Sequence, residues 1–343
     1  MLRQEDFMKK ISATIVILII SGFGLAAAVK NFATYKEMRQ YLGQLINEKK
    51  FLLAEEVLQA AVKQFPDRLL ANTYNLAYVR VHLKKYKGAV KALAAANQKD
   101  IFFGIWDFTQ PEFAPLKPLR SFQDFEKRNS ELLAAAQQKA KMKLEVVTPE
   151  GFDAAKKYPL FLALHGGGET LAEFRPQWWS SRLKSEFIVA FVQSSQLAGM
   201  NGFHWQDVAI TQRELADAFG QVCAAYQVDE KQVLIGGFSS GGFASLVMSL
   251  QNGLPVSGFI ALCPEVPEGV SDEDIRQAAA RGVRGTILTT ALDNRLEKQR
   301  QLAARFRNFG LQYQFAVTPD IGHWYPENLD KLIDQAIVHI FNR

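Results

Sequence analysis

The pattern of apolar and polar positions divides the chain into three parts. An uncharged and strongly apolar stretch occupies residues 11–29. Between roughly residues 33 and 98, apolar positions recur three and four residues apart, which predicts amphipathic helices. From about Met142 onward, short apolar runs of strand length alternate with helix-like segments. This alternation predicts an α/β domain in the last part of the chain.

The predicted strands of the last part are mostly continuous apolar runs, as expected when helices cover both faces of a mostly parallel sheet. We therefore predict a doubly wound α/β fold preceded by a small all-α region. The predicted strands are Leu144–Thr148, Leu160–Leu164, Ile188–Val192, Val233–Gly237, Val256–Cys263, Thr286–Ala291 and Tyr313–Val317, and the predicted helices include Thr211–Tyr226, Ser240–Leu250, Leu296–Phe309 and Asn328–Phe341.

The helical part repeats itself at a fixed period. Phe51, Ala54, Leu58 and Ala61 recur thirty-five residues later as Tyr86, Ala89, Leu93 and Ala96, and Lys49–Lys50 recurs as Lys84–Lys85. An aromatic, a small alanine and a later apolar residue at set offsets are typical of stacked helix–turn–helix units. The segment resembles about two tetratricopeptide repeats, which would dock a protein partner. A helical lead-in packed on the α/β domain is the alternative, and both remain open.

The apolar stretch near the start follows the basic residues Arg3, Lys9 and Lys10. Its length just suffices for a membrane-spanning helix. The basic start, the short apolar centre and the small residues Ala26–Ala28 equally fit a secretory signal. We therefore expect an exported or membrane-anchored protein on the extracytoplasmic side, with cleavage and anchoring both open. The expected division is 1–30 signal or anchor, 31–141 helical region and linker, and 142–343 catalytic domain.

Composition and charge narrow the function further. The chain is 48% hydrophobic and 22% charged, as in an ordinary folded protein. Its formal net charge is +5, and its lysines and arginines are interleaved with acidic residues along the sequence. We therefore expect no nucleic-acid partner. The cysteines, Cys223 and Cys263, have no CxxC neighbour and no histidine at metal-ligand spacing, so we predict buried free thiols, no metal and no cofactor.

A G-x-S-x-G sequence occupies residues 237–241, between an apolar strand and a helical run. This context is that of a nucleophile elbow, a tight turn that exposes a serine at the carboxyl edge of the sheet and at the start of a helix. Ser239 is the predicted nucleophile. Gly237 and Gly241 are the small residues that such a turn requires.

A glycine loop, His165–Gly168, follows another buried strand. Acyl transfer forms a tetrahedral oxyanion that needs fixed N–H donors, and glycines bring backbone N–H groups close. We assign these donors to the Gly167 or Gly168 region and to Ser240, the residue after the nucleophile. His165 is expected to orient the loop.

The predicted general base is His323, on a turn after the last strand and before the final helix. Histidine titrates near neutrality, as such a base must. His204 is its one serious rival among the histidines.

The acid should follow a strand between nucleophile and base, which favours Asp293. The weaker alternatives are Asp272, Asp274 and Asp320. Aromatic residues in nearby loops could line a pocket or cap the core, and both readings remain open for Trp178, Trp179, Phe203, Trp205 and Trp324.

These motifs together resemble the phospholipase/carboxylesterase and dienelactone-hydrolase branch of the α/β-hydrolases, over residues 143–343. The resemblance is carried by 165–168, 205–207, 229–233, 236–242 and 322–326. It implies a triad of Ser239, Asp293 and His323 that hydrolyses carboxylic esters, thioesters or some peptides. We therefore expect a cofactor-independent serine esterase acting on a small-molecule ester. A peptidase of the same fold is one alternative, and an inert scaffold that docks a partner is another.

Overall fold

The computed structural model describes residues 32–341, which form a helical part followed by a sheet with flanking helices. Short 3₁₀ turns lie at Pro66–Arg68, Pro111–Leu116 and Arg175–Gln177. The helices are α1 Tyr35–Asn47, α2 Phe51–Gln64, α3 Leu69–His82, α4 Tyr86–Asn97, α5 Arg120–Gln137, α6 Leu171–Phe174, α7 Ser181–Glu186, α8 Val208–Ala225, α9 Ser240–Leu250, α10 Asp272–Ala280, α11 Leu296–Asn308 and α12 Leu329–Phe341. The strands are β1 Lys143–Val147, β2 Tyr158–Leu164, β3 Ile188–Gln193, β4 Leu197–Gly199, β5 Gly202–Phe203, β6 Val228–Phe238, β7 Gly258–Leu262, β8 Arg284–Thr290 and β9 Gln312–Thr318.

Seven strands form one sheet in the order β1-β3-β2-β6-β7-β8-β9. Strand β1 pairs antiparallel with β3 at the edge, and every other neighbouring pair in this sheet is parallel. The seven predicted strands all belong to it. The predicted fold class, a doubly wound and mostly parallel α/β sheet preceded by helices, is confirmed. The hairpin β4–β5 was not predicted.

Each central strand is buried on both faces. In β2, Leu160, Leu162 and Leu164 belong to one apolar core, and the alternating Phe161 and Ala163 belong to the other. Helices α8 to α11 cover the first face, and α7 and α12 cover the second. Because successive side chains of a strand point to opposite faces, a strand in this position must be apolar throughout.

The sequence repeat of the helical part has a structural counterpart. Lys49, between α1 and α2, has a φ of 56°, and Lys84, between α3 and α4, has a φ of 58°. In both turns the following lysine donates its N–H back to the carbonyl five residues earlier, Lys50 to Leu45 and Lys85 to Arg80. The repeated lysine pair therefore marks two equivalent left-handed turns that end one helix and start the next. The resemblance to tetratricopeptide repeats is not confirmed.

The localisation prediction is corrected. Among residues 32–341 no helix is both long and apolar enough to cross a membrane. The apolar segment 11–29, together with the cleavage site at 26–28, lies outside the described residues. Both cysteines are free thiols; Cys263 is buried, as predicted, but Cys223 is only half-buried on α8.

Candidate active site

Ser239 occupies the sharp turn between β6 and α9. Its backbone has φ 52° and ψ −108°, a left-handed conformation that is strained for a residue with a side chain. The turn is held in place because the N–H of Ser239 donates to Leu262 O at 2.9 Å and its carbonyl accepts from the N–H of Phe243 at 2.9 Å. The result is a half-buried hydroxyl at the carboxyl edge of the sheet and at the amino end of a helix.

The glycines on either side of this turn are sterically required. A Cβ at Gly241 would lie 2.6 Å from the carbonyl oxygens of both Leu164 and His165. A Cβ at Gly237 would lie 2.6 Å from the carbonyl oxygen of Gly241. Because the obstructing atoms are all backbone, no side-chain movement could relieve these contacts. The small residues of the G-x-S-x-G sequence therefore allow strand, turn and helix to pack this closely.

The structure brings Ser239, His323 and Asp293 into one hydrogen-bonded chain. The Nε2 of His323 lies 2.9 Å from the Oγ of Ser239, and its Nδ1 lies 2.9 Å from the Oδ2 of Asp293. Ser239 follows β6, Asp293 follows β8 and His323 follows β9. In the sheet, β8 and β9 are neighbours, and β7 lies between β6 and β8. The imidazole packs on the ring of Phe238, with 4.8 Å between centroids. This is the geometry in which a histidine can remove a proton from a serine hydroxyl.

The Asp293 side chain is fully buried, yet it is held as a carboxylate. Burial favours the protonated form, but hydrogen bonds from His323 and from the N–H of Arg295, at 2.8 Å, outweigh it and lower the pKa of Asp293 below its ordinary value. Gln299, which is also fully buried, donates to Pro264 O at 3.0 Å and lies 3.4 Å from Asp293 Oδ2. These contacts fix the carboxylate behind the imidazole.

His165 orients the glycine loop. Its Nδ1 lies 2.7 Å from the carbonyl oxygen of Gly166, and its Nε2 accepts from the N–H of Ser194 at 3.1 Å. The two contacts require a neutral ring with the proton on Nδ1. Complete burial lowers the pKa of His165 to about 4, so the ring stays neutral at physiological pH.

Gly167, in the glycine loop, lies next to Ser240, the residue that follows Ser239. Among residues 32–341, neither the N–H of Gly167 nor that of Ser240 has a hydrogen-bond partner. A Cβ at Gly167 would lie 3.6 Å from the Cβ of Ser240, so the two residues are in close contact. The N–H of Gly168, in contrast, donates to Phe203 O at 2.8 Å. Of the predicted donors, Gly167 and Ser240 are free to bind an oxyanion and Gly168 is not.

Two further side chains shape the site in ways that the sequence did not indicate. The hydroxyl of Ser240 accepts from the N–H of Trp205 at 2.9 Å and so fixes the loop before α8. The carboxylate of Glu169 accepts from the N–H of Gly166 at 2.6 Å and from the hydroxyl of Tyr325 at 2.9 Å. Burial raises the pKa of Glu169 above its ordinary value. An acidic residue directly after the glycines is the one signal that could have pointed to this role.

The rival residues lie elsewhere. The ring of His204 packs against Trp106, with 5.8 Å between centroids, and its Nδ1 accepts from the N–H of Gln206. Asp320 is an exposed turn residue, Asp272 pairs with Arg305, and Asp274 closes a capping box at the start of α10. Among the aromatic residues, Trp178 and Trp205 are fully buried in the core, Trp179 and Phe203 are half-buried, and Trp324 is 57% exposed.

Cys263, Asp293 and His323 each place a potential metal ligand atom within 4.8 Å of the others. A metal bound there would need the thiolate form of the cysteine. Burial raises the pKa of the Cys263 thiol to about 12, and the facing atoms of Asp293 and His323 already share a hydrogen bond. These groups are therefore better suited to the hydrogen bond between Asp293 and His323 than to metal binding.

No protein-family model matches the sequence, and no curated protein matches it. Among solved structures, an uncharacterized protein from Bacillus cereus ATCC 10987 is 23% identical, with a TM-score of 0.50 and coverage of 90% of this chain and 99% of that chain. An esterase from Thermogutta terrifontis is 17% identical, with a TM-score of 0.47 and coverage of 59% and 88%. A ferulic acid esterase is 16% identical, with a TM-score of 0.47 and coverage of 59% and 100%.

The similarity to the Bacillus cereus protein concerns the fold alone. Because it covers 90% of this chain, it extends over helical residues as well as over the sheet. The combination of a helical part with this type of sheet is therefore shared by another protein.

Proposed function

We propose that the protein is a serine hydrolase that cleaves carboxylic esters through an acyl-enzyme. Ser239 is the proposed nucleophile, His323 the general base and acid, and Asp293 the carboxylate that orients the imidazole. The N–H groups of Gly167 and Ser240 are the proposed oxyanion hole. The proposal includes the division of the chain at about residue 142 into a helical region and a catalytic domain.

The first half-reaction follows from the hydrogen bonds of the site. His323 Nε2 takes the hydroxyl proton of Ser239 as the oxygen attacks the ester carbonyl, and Asp293 stabilises the imidazolium. The negative charge that develops on the carbonyl oxygen is stabilised by the two N–H donors and by the amino end of α9. The imidazolium then returns the proton to the departing alcohol oxygen. This leaves the acyl group on Ser239 and releases the alcohol.

The second half-reaction uses the same groups with water as the nucleophile. His323 takes a proton from the water, whose oxygen attacks the acyl carbonyl, and then protonates Ser239 as the carboxylic acid leaves. The guanidinium Nη1 of Arg295 lies 3.3 Å from Nδ1 and 3.4 Å from Nε2 of His323, but a guanidinium has no acceptor and cannot take up this proton. The enzyme therefore returns to its starting state without a cofactor.

One observation carries the proposal above all. Ser239 Oγ lies 2.9 Å from His323 Nε2, the Nδ1 of the same ring lies 2.9 Å from Asp293 Oδ2, and Ser239 itself stands on a strained turn. Backbone strain of about 1–3 kcal/mol persists only where the surrounding structure enforces it, and it is concentrated at functional sites.

The test is covalent labelling with a fluorophosphonate probe, combined with hydrolysis of p-nitrophenyl acetate. Wild-type protein should be labelled and active, and Ser239→Ala should lose both properties. Ser185→Ala is the matched control, because Ser185 is an exposed serine on α7 and should be dispensable. Labelling that persists in the Ser239→Ala protein would contradict the proposal.

The same groups could attack an amide, which has a poorer leaving group. Parallel assays with p-nitrophenyl esters and aminoacyl p-nitroanilides distinguish an esterase from a peptidase. An inert scaffold that docks a partner through its helical region would leave the fluorophosphonate unreacted.

A further inference from the structure

The segment between α4 and the 3₁₀ turn at Pro111, residues 101–109, is an arm that is fixed to the helical part at both ends. Phe103 and Phe108 are buried in an apolar cluster of that part. The side chain of Asn129, on α5, donates to Phe103 O at 3.1 Å and accepts from the N–H of Phe103 at 2.8 Å. The backbone between these anchors is therefore held in one conformation, with Ile105 and Trp106 at its tip.

The tip of the arm is also bound to the catalytic part. The N–H of Ile105 donates to Ala198 O, in β4, at 2.8 Å. A Cβ at Gly104 would lie 2.8 Å from this same oxygen, and a Cβ at Gly199 would lie 2.9 Å from the Cα of Gly104. Two glycines thus let the backbones of the arm and of the β4–β5 hairpin pack directly on each other.

A second link lies beside this contact. Gln137, at the end of α5, donates to Ser195 O at 2.8 Å and accepts from the N–H of Leu197 at 2.8 Å. The hairpin is therefore clamped from both the arm and α5, and the position of the tip relative to the sheet is fixed.

This docking brings Trp106 to the proposed oxyanion hole. A Cβ at Gly167 would lie 3.2 Å from Cη2 and 3.5 Å from Cζ3 of the indole, and 3.6 Å from the Cβ of Ser240. The indole also makes an edge contact with the ring of His204, with 5.8 Å between centroids. Yet Trp106 is 37% exposed, and its neighbour Ile105 is 39% exposed. A large apolar ring is thus left open to solvent at the point where a substrate carbonyl would bind.

We infer that Trp106 forms the wall of the acyl-binding side of the site, so that the helical part selects esters with an aromatic or other bulky apolar acyl group. The inference rests on the proposed function. The face of an indole favours stacked or edge-on contact with another ring and contributes apolar burial to any large acyl group.

The assignment to the acyl side follows from the position of the base. The departing oxygen must receive its proton from Nε2 of His323, so the alcohol lies on the side of that residue. Trp324 and Leu292, which are 57% and 67% exposed, are sequence neighbours of His323 and Asp293. Trp106 instead lies against the oxyanion residue Gly167, and its ring partner is His204, whereas the ring of His323 packs on Phe238. Acyl and alcohol groups therefore meet different apolar side chains.

The test compares ratios of kcat/KM in Trp106→Ala, Trp106→Phe and wild type. p-Nitrophenyl benzoate and p-nitrophenyl acetate differ only in the acyl group, whereas 2-naphthyl acetate and methyl acetate differ only in the alcohol. We expect Trp106→Ala to lower the benzoate-to-acetate ratio about tenfold and to leave the naphthyl-to-methyl ratio unchanged. Trp106→Phe should keep most of the benzoate preference, because an aromatic ring remains.

Leu52→Ala is the matched control, since Leu52 is an exposed apolar residue of the helical part, 64% exposed on α2, and both ratios should stay as in wild type. An equal loss on benzoate and acetate, or a change in the alcohol ratio alone, would overturn the inference. Fluorophosphonate labelling distinguishes a failure of the role of Trp106 from a failure of the proposed function. A labelled protein with an unaltered acyl ratio rejects the role of Trp106 alone, whereas an unlabelled and inactive wild type rejects the proposed function as well.

Discussion

The Tyr325 hydroxyl donates a hydrogen bond to the Glu169 carboxylate at 2.9 Å, and the contact joins the loop of His323 to the glycine loop. The same carboxylate oxygen accepts from the N–H of Gly166 at 2.6 Å. The Tyr325 ring packs on Phe238, with 4.4 Å between centroids. One half-buried acidic residue thus links the loop of the proposed base to the loop of the proposed oxyanion hole.

Glu169→Gln should reduce catalysis more than stability. Burial raises the pKa of Glu169, so the charged form is kept at a free-energy cost that a neutral amide does not carry. We expect the free energy of unfolding to change by less than about 1 kcal/mol. We expect kcat/KM to fall about tenfold, because an amide oxygen accepts the hydrogen bonds of Gly166 and Tyr325 more weakly than a carboxylate and aligns the two loops less well. Urea unfolding and ester hydrolysis measure the two effects.

Tyr325→Phe removes one of the two hydrogen bonds to Glu169 and should have a smaller effect on kcat/KM. The double variant should lose less than the sum of the two single losses, because both changes weaken the same link. Additive losses in kcat/KM would show that the two residues act separately.

Acid should destabilise the protein through His165. Burial lowers its pKa from 6.5 to about 4, so between these values the unfolded chain binds the proton more readily than the folded protein. The contribution of the neutral ring to the free energy of unfolding is complete above pH 6.5 and is lost as the pH falls through about 4. Between these two pH values the loss amounts to about 3 kcal/mol. Urea unfolding of wild type and His165→Gln at pH 7 and pH 4.5 measures this contribution. An identical pH dependence in both proteins would rule His165 out as its source.

Gly241→Ala should disrupt the turn of Ser239. The added Cβ would lie 2.6 Å from the carbonyl oxygens of Leu164 and His165, so the backbone must move. We expect a loss of about 1–3 kcal/mol in the free energy of unfolding and the loss of most ester hydrolysis. Gly220→Ala is the control, because Gly220 lies in α8 with open space around it and should gain up to about 1 kcal/mol. A Gly241→Ala protein as stable and active as wild type would contradict the steric argument.

Asp293→Asn should abolish most activity while the protein stays folded. An amide can present an N–H to Nδ1 of His323, which favours the tautomer with its proton on Nε2, where the base must accept one. We expect kcat to fall about 10⁴-fold. Steady-state kinetics with p-nitrophenyl acetate, and circular dichroism to verify folding, measure the effect. Near-normal turnover would show that Asp293 does not orient the imidazole.

The parts of the fold and site that could be predicted are those with a strong local pattern. The central strands were predictable because burial on both faces makes them apolar without interruption, as in β2 and β6. The position of Ser239 followed from glycines whose spacing reflects a steric requirement. The equivalence of the segments at Lys49 and Lys84 could be predicted from the sequence repeat, but their left-handed backbone conformation could not.

The features of the fold and of the site that could not be predicted depend on contacts between segments that are distant in the sequence. The short β4–β5 hairpin has too few residues for a periodic pattern, so the engagement of the Gly168 N–H by Phe203 could not be foreseen. Burial of Trp178 and Trp205 depends on how the loops fold back on the core. Trp106 lies more than one hundred residues before Ser239, in a stretch without regular periodicity. The docking of the arm on the β4–β5 hairpin, through Gly104, Ile105 and Gly199, brings it to the site.

The double anchoring of the arm has a consequence for the order of folding. The helical part is synthesised first, and its phenylalanine cluster contains residues of that part alone, whereas the hydrogen-bond partner of Ile105 is synthesised later. Its hydrogen bond to Ala198 can form only after the hairpin exists, and the sheet then requires β9 from near the end of the chain. Docking of the arm therefore belongs among the late, long-range steps of folding, and slow closure of this junction would delay maturation of the whole protein.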